Sequence, residues 1–147
     1  MSNKKEVSRS AGIKWITIEG ATSFNRRLEI WDIYVHMKNR KVLIIDDEKD
    51  FGMLMKRFFS QKNFDVYVAY TISDGMKILD EERPDIIFLD NNLPDGYGWD
   101  KTEFILTNFP QTQLNLISAL NVPKTSASSF RILEKQMLLK ELPKMFV

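Results

Sequence analysis

With 147 residues, the chain has room for one domain and a modest extension around a single hydrophobic core. Its 21 Lys and Arg residues nearly balance its 20 Asp and Glu residues, so the composition gives no reason to expect binding to nucleic acid or to an anionic membrane. Cysteine is absent, which excludes disulfides and thiolate metal sites, and no apolar run approaches the roughly 20 residues that a membrane span requires. These features fit a cytoplasmic protein.

The first part of the chain predicts an extension, residues 1–39, that precedes the main domain. Residues 1–10 are mostly polar and predict a solvated tail. Residues 13–18 alternate like a strand, and a helix is predicted from about Thr22 to Met37. That helix is apolar on most of its circumference, so it must pack on something. We expect it to cover a sheet face or to form a dimer contact.

From residue 40 onward, short apolar runs alternate with segments of helical periodicity. The predicted strands are residues 41–45, 64–69, 85–89, 113–118 and 130–133. The predicted helices are residues 50–62, 71–82, 99–108 and 136–145. Alternating βα units of this length predict a doubly wound, five-stranded parallel sheet with right-handed crossovers, an α/β fold, over residues 40–147.

Acidic residues follow two of the predicted strands. Asp46 and Asp47 come directly after the first strand, and Asp90 follows the third. Ligands of open α/β sheets bind beyond the carboxyl ends of the strands, and carboxylates that converge there need a cation between them. A hard divalent cation such as Mg²⁺ suits this oxygen-rich set. The alternative for any single Asp is that it caps the helix that follows.

Several segments together resemble response-regulator receiver domains of two-component signalling, which are CheY-like. Residues 42–48, Val-Leu-Ile-Ile-Asp-Asp-Glu, are similar to the acidic-pair strand of that family. Residues 85–98 are similar to its phosphoacceptor strand and loop, with Pro94 and Gly98 at the family positions. Residues 116–120 and 132–135 resemble its fourth strand with a hydroxyl and its fifth strand ending in lysine. The resemblance covers residues 41–147 and implies the flavodoxin-like strand order 2-1-3-4-5.

The resemblance also implies roles for individual residues. Asp90 would be the phosphoacceptor, and Ser118 and Lys135 would contact the transferred phosphoryl group. Asp46 and Asp47, together with Asp90 and the main-chain carbonyl of Asn92, would hold Mg²⁺.

Three features depart from the family pattern. Gln136 follows the lysine where the family has proline, and Ile132 stands where many receivers carry an aromatic residue. Residues 119–129 contain Pro123 and a Ser/Thr cluster, which are poor helix material. We therefore expect a fourth helix that is shortened or missing.

We expect a phosphoacceptor switch without an output domain of its own, and no enzyme activity beyond self-phosphorylation and slow autodephosphorylation. Its predicted partners are a sensor histidine kinase or histidine phosphotransfer protein, an unknown downstream protein and, as one option, a second copy of the chain. The first alternative is a degenerate receiver-like interaction module that is not phosphorylated. The second is a hydrolase of acyl phosphates, but the sequence lacks the Asp-x-Asp pair of nucleophile and acid that such an enzyme is expected to have.

Overall fold

The computed structural model describes residues 6–10, 13–17, 39–119 and 129–145. The chain divides into two compact units, Met1–Lys38 and Asn39–Val147. In the first unit, strands β1 (Glu6–Ser10) and β2 (Ile13–Thr17) form an antiparallel hairpin. The solvated tail predicted for residues 1–10 is therefore wrong for Glu6–Ser10. Val7 is the only apolar residue of β1, so the sequence of this segment does not show the alternation that predicts a strand. The segment is a strand because it pairs with β2.

The second unit is built on five parallel strands. They are β3 (Lys41–Ile45), β4 (Asp65–Ala69), β5 (Ile86–Asp90), β8 (Gln113–Ser118) and β9 (Phe130–Glu134). Their spatial order is β4-β3-β5-β8-β9, and every neighbouring pair is parallel. This is the order 2-1-3-4-5 of a flavodoxin-like sheet, so the predicted fold class is confirmed. The strands β3 and β5, which carry the acidic residues, are direct neighbours.

Four helices within the described part of this unit connect and follow these strands. They are α1 (Lys49–Gln61), α2 (Ile72–Glu82), α3 (Thr102–Asn108) and α4 (Lys135–Met145). Thr71 caps α2, because its side-chain hydroxyl accepts a hydrogen bond from the amide of Asp74 at 3.1 Å. The predicted helix at 22–37 and the predicted loss of the fourth helix, at 120–128, lie outside the described residues. Within the described ranges, no helix is long and apolar enough to cross a membrane.

The sheet separates two apolar layers, because successive side chains of a strand point to opposite faces. On β3, Val42 and Ile44 pack with residues of α1 and α4, while Leu43 and Ile45 pack with residues of α2 and α3. Residues 42–45 are all fully buried. The continuous apolar run therefore encodes a central strand covered on both sides.

The loop after β5 contains structure that the sequence pattern did not predict. Two short strands, β6 (Asn92–Leu93) and β7 (Gly96–Tyr97), form a small antiparallel hairpin. A 3-10 turn at Gly98–Lys101 then leads into α3, so the helix predicted from residue 99 begins as a tighter turn. The hairpin holds the segment directly after Asp90 at the carboxyl edge of the sheet.

Candidate functional site

Three carboxylates meet at the carboxyl edge of the sheet. Ile45 pairs with Leu89 in the parallel register of β3 and β5, so Asp46 and Asp90 both lie one residue beyond a paired position. Carboxylate oxygens of Asp46, Asp47 and Asp90 all lie within 4.8 Å of one another. Asp46 is fully buried and Asp90 is 5% exposed, whereas Asp47 is exposed. The structure thus brings together the three acids that the sequence singled out.

Lys135 supplies the positive charge of this cluster. It is the first residue of α4, directly after β9, and only 5% of it is exposed. Its Nζ lies 2.7 Å from Asp46 Oδ2, 2.8 Å from Glu48 Oε1 and 3.5 Å from Asp90 Oδ1. A buried ammonium needs such partners, because an isolated charge in the interior carries a large desolvation penalty.

The other two predicted site residues lie at the same edge of the sheet. Ser118 ends β8 and pairs with Glu134, while its neighbour Ile117 pairs with Asp90. This register sets Ser118 between the strand that carries Asp90 and the residue preceding Lys135. Asn92 begins β6 and is exposed. Ser118 and Asn92 therefore lie next to the cluster in the strand topology.

Burial and mutual charge change the proton affinity of the site. Burial, followed by the nearby Asp46 carboxylate, raises the pKa of Asp90 to about 6. Burial likewise raises the pKa of Asp46, although its bonds to Lys135 and to the amide of Glu48 oppose the shift. Burial alone would lower the pKa of Lys135, but the neighbouring carboxylates of Asp46 and Glu48 together outweigh it, and the pKa is raised. The ionised forms of Asp46 and Asp90 are therefore destabilised by their surroundings, whereas the charged form of Lys135 is stabilised.

One oxygen of this cluster is incompletely satisfied. Asp46 Oδ1 accepts a hydrogen bond from the amide of Glu48 at 2.9 Å, a local bond in the turn before α1. Asp46 Oδ2 is buried and accepts no well-directed hydrogen bond, although Lys135 Nζ lies close to it. Lys135 and Asp46 are therefore close enough to form an ion pair, but their geometry is poor for a hydrogen bond. A buried oxygen in this condition, beside two further carboxylates, fits the donor set of a hard divalent cation.

The segment after Asp90 is fixed by hydrogen bonds that the sequence pattern did not reveal. Asn91 accepts two of them, at its main-chain oxygen from the amide of Gly98 (2.8 Å) and at its Oδ1 from the amide of Trp99 (3.2 Å). The indole of Trp99 donates to the main-chain oxygen of Leu89 at 3.2 Å. Gly98 packs so closely that a Cβ there would collide with the main-chain oxygen of Asp90. The loop is thereby held against the end of β5.

Asp95 ties the same loop to another helix. Its two carboxylate oxygens accept hydrogen bonds from the amides of Ile72 (2.8 Å) and Ser73 (2.9 Å), which lie at the start of α2. These bonds lower the pKa of Asp95. The sequence shows Asp95 only as a turn residue, because its partners lie more than 20 residues away. Glu48, the third acid around Lys135, also received no role from the sequence.

Comparison with known proteins agrees with this geometry. The family model of the response regulator receiver domain matches residues 42–145. The chain is 30% identical over 95 residues to the response regulator protein PilR of Pseudomonas aeruginosa, covering 65% of this chain and 21% of that protein. The chain therefore spans about a fifth of the length of this curated relative.

Solved structures share the fold. A CheY-like receiver domain protein from Methanospirillum hungatei matches with a TM-score of 0.60 at 18% identity, over 74% of this chain and 94% of that one. The response regulator domain of Thermotoga maritima CheB matches equally, with a TM-score of 0.60 at 18% identity, over 74% and 94% of the two chains. On the strength of the family match over residues 42–145, the chain belongs to the response regulator receiver domains of two-component systems.

Proposed function

We propose that the chain is a phosphoacceptor that takes a phosphoryl group on Asp90 and changes its affinity for a protein partner as a result. The observation that carries this proposal is the placement of Asp90. It is a nearly buried carboxylate at the end of a central strand, within 4.8 Å of two further acids and 3.5 Å from the ammonium of Lys135. A carboxylate with only a capping role would not require both a cation and a second acid beside it.

The proposed reaction is nucleophilic substitution at phosphorus. An oxygen of ionised Asp90 attacks the phosphorus of a phosphohistidine, and the phosphorus–nitrogen bond breaks with its electron pair leaving on the imidazole, which retains or gains a proton. The product is an acyl phosphate on Asp90. Lys135 would direct an N–H group to one phosphoryl oxygen, and the hydroxyl of Ser118 would donate to another. Ala119 directly follows β8 and is small and exposed, which favours the approach of a phosphodonor to Asp90.

Asp46 and Asp47, with Asp90 and the main-chain carbonyl of Asn92, are the residues that would hold Mg²⁺. The incompletely satisfied Oδ2 of Asp46 supports this assignment. When bound, the cation would offset the negative charge of the transferring phosphoryl group. Asp47 is exposed, so it would offer the cation an oxygen on the solvent side of the cluster.

A phosphohistidine donor implies a sensor histidine kinase or a histidine phosphotransfer protein in the same compartment, which we propose is the cytoplasm. The response would pass to a downstream protein through altered surface affinity. Ile132 is half-buried and packs against one apolar layer of the sheet. The switch in this chain would therefore operate without an aromatic side chain at that position.

Replacing Asp47 with alanine is expected to weaken Mg²⁺ binding about tenfold or more, equivalent to about 1.4 kcal/mol, because the site loses one charged ligand of three. The stability of the metal-free protein should rise, since one like charge is removed from the cluster. Isothermal titration with Mg²⁺ and chemical denaturation in EDTA measure the two effects. The matched control is Asp50→Asn, an exposed acid outside the cluster, which should leave Mg²⁺ affinity unchanged. Equal affinity in Asp47→Ala and wild type would contradict the metal assignment.

The proposed function is tested by incubating the protein with acetyl phosphate, with and without Mg²⁺, and measuring intact mass. We expect one phosphoryl adduct that requires Mg²⁺, is labile in mild base and is absent from Asp90→Asn. A wild-type protein that acquires no adduct under any of these conditions would support the alternative of an unphosphorylated interaction module. Gln136, which replaces the family proline directly after Lys135, is the observation that keeps this alternative open.

A further inference from the structure

Glu48 differs from the other two acids around Lys135 in its exposure to solvent. Its side chain is 58% exposed, whereas the side chains of Asp46 and Asp90 are 0% and 7% exposed. A buried carboxylate that loses its cation is left charged in the interior, without water to solvate it, and this costs much free energy. An exposed carboxylate that loses its cation is hydrated by solvent. Glu48 is therefore the partner that Lys135 can leave most easily.

The bonds of Lys135 are also unequal in direction. Its Nζ donates a hydrogen bond to Glu48 Oε1 at 2.8 Å, while its contact with Asp46 Oδ2 is close but poorly directed. The distance from Nζ to Asp90 Oδ1 is 3.5 Å, longer than the usual charge-assisted bond of about 2.7–2.9 Å. The best-directed bond of the ammonium is thus to Glu48, and its separation from Asp90 exceeds that of a charge-assisted bond.

We propose that Glu48 is a positioning residue that holds Lys135 in the resting protein and releases it once Asp90 carries a phosphoryl group. The inference rests on the proposed phosphoryl transfer. When Asp90 attacks the phosphorus of acetyl phosphate, the bond from phosphorus to the bridging oxygen breaks and its electron pair leaves with acetate. Lys135 then donates to a phosphoryl oxygen, and Glu48 is hydrated in its place. Neither Lys135 nor Glu48 gains or loses a proton.

Glu48→Gln tests this proposal, because glutamine keeps the length of the side chain and removes its charge. The rate constant for phosphorylation by acetyl phosphate should rise about 3- to 10-fold, as expected when a partly exposed charge-assisted bond is lost from the resting state only. The rate of dephosphorylation should stay within about twofold of wild type, because the bond to Glu48 is already broken in the phosphorylated protein. A purely structural defect would lower phosphorylation instead.

Asp50→Asn is the matched control for charge. Asp50 lies in the first turn of α1 and lines the same shallow pocket as Glu48 and Lys135. If Glu48 acts through Lys135, phosphorylation of Asp50→Asn should match wild type. An equal acceleration in both variants would show general repulsion of the anionic donor, and the proposal would be overturned.

A second readout does not require phosphorylation. In EDTA, the denaturation midpoints of Glu48→Gln, Lys135→Gln and the double variant form a double-mutant cycle. The shift of the double variant should be smaller than the sum of the two single shifts. Additive shifts would show that the two side chains are not coupled and would refute the proposal. If Lys135→Gln does not fold, the kinetic comparison decides alone.

The kinetic results separate the two levels of inference. If wild type is phosphorylated and Glu48→Gln reacts at the same rate or more slowly, only the role of Glu48 fails. If wild type takes no phosphoryl group, the proposed function fails, and the role of Glu48 fails with it.

Discussion

Replacing Gly98 with alanine is expected to destabilise the receiver unit by about 3 kcal/mol, at the upper end of the usual effect of overpacking. A Cβ at this position would collide with the main-chain oxygen of Asp90 and would lie within 3.0–3.1 Å of Leu89 and Leu93 side-chain atoms. Backbone cannot rotate away as a side chain can, so the loop has to move. We expect the displaced loop to disturb Asp90 as well, and phosphorylation should decrease with stability.

Gly52→Ala is the control for this substitution. Gly52 is also buried, but its added Cβ would meet only Val68 Cγ1, at 3.1 Å, and that atom is the end of a side chain. Gly52 lies within α1, where alanine is favoured over glycine by about 1 kcal/mol. Urea denaturation should therefore show a small effect for Gly52→Ala and a large loss for Gly98→Ala. Comparable midpoints for Gly98→Ala and wild type would show that the loop is not packed as described.

Asp90→Asn is expected to stabilise the metal-free protein near pH 8 by up to about 3 kcal/mol. The pKa of Asp90 is about 6 in the folded protein, against an ordinary value of 3.8. Folding therefore disfavours the ionised carboxylate, and a difference of about two pKa units corresponds to about 3 kcal/mol. Asparagine has nearly the same shape and carries no charge.

The pH dependence of this effect follows from the direction of the pKa change. Well below pH 3.8, Asp90 is protonated in both the folded and the unfolded chain, so the ionisation penalty is absent. The penalty grows as pH rises from about 4 to 6 and is complete above the folded pKa. The stability difference between Asp90→Asn and wild type should therefore be large at pH 8 and small at pH 4.

Chemical denaturation in EDTA at both pH values measures this difference. The control is Asp80→Asn, because Asp80 has a side chain that is 76% exposed and makes only a 3.4 Å contact with Arg83. Its substitution should have little effect at either pH. A stability difference for Asp90→Asn that does not change between pH 4 and pH 8 would show that the carboxyl is not strained by burial and by Asp46.

The sheet could be predicted well because its signals are local. A continuous apolar run such as residues 42–45 is typical of a strand that is buried on both faces. The acidic residues at the ends of β3 and β5 mark the carboxyl edge of the sheet. Once β3 and β5 are neighbours, the convergence of Asp46 and Asp90 follows from the parallel register. The convergence of these carboxylates could therefore be predicted from the sequence.

The individual hydrogen bonds around the site could not be predicted from the sequence. Asp95 bonds to Ile72 and Ser73 through space, and no local pattern in a turn-rich segment indicates a helix start more than 20 residues away. Glu48 reads as an ordinary acidic residue at a helix start, and its bond to Lys135 spans 87 positions. Such contacts depend on how the loops at the sheet edge pack, which periodicity does not specify.

The most direct test of the central claim is the position of the phosphoryl group. After incubation with acetyl phosphate and Mg²⁺, borohydride reduces an acyl phosphate on aspartate to homoserine, and peptide mass spectrometry locates the reduced residue. We expect homoserine at position 90 alone, and none when Mg²⁺ is replaced by EDTA. Reduction at Asp46, Asp47 or another carboxylate, with Asp90 intact, would contradict the assignment of Asp90 as the phosphoacceptor.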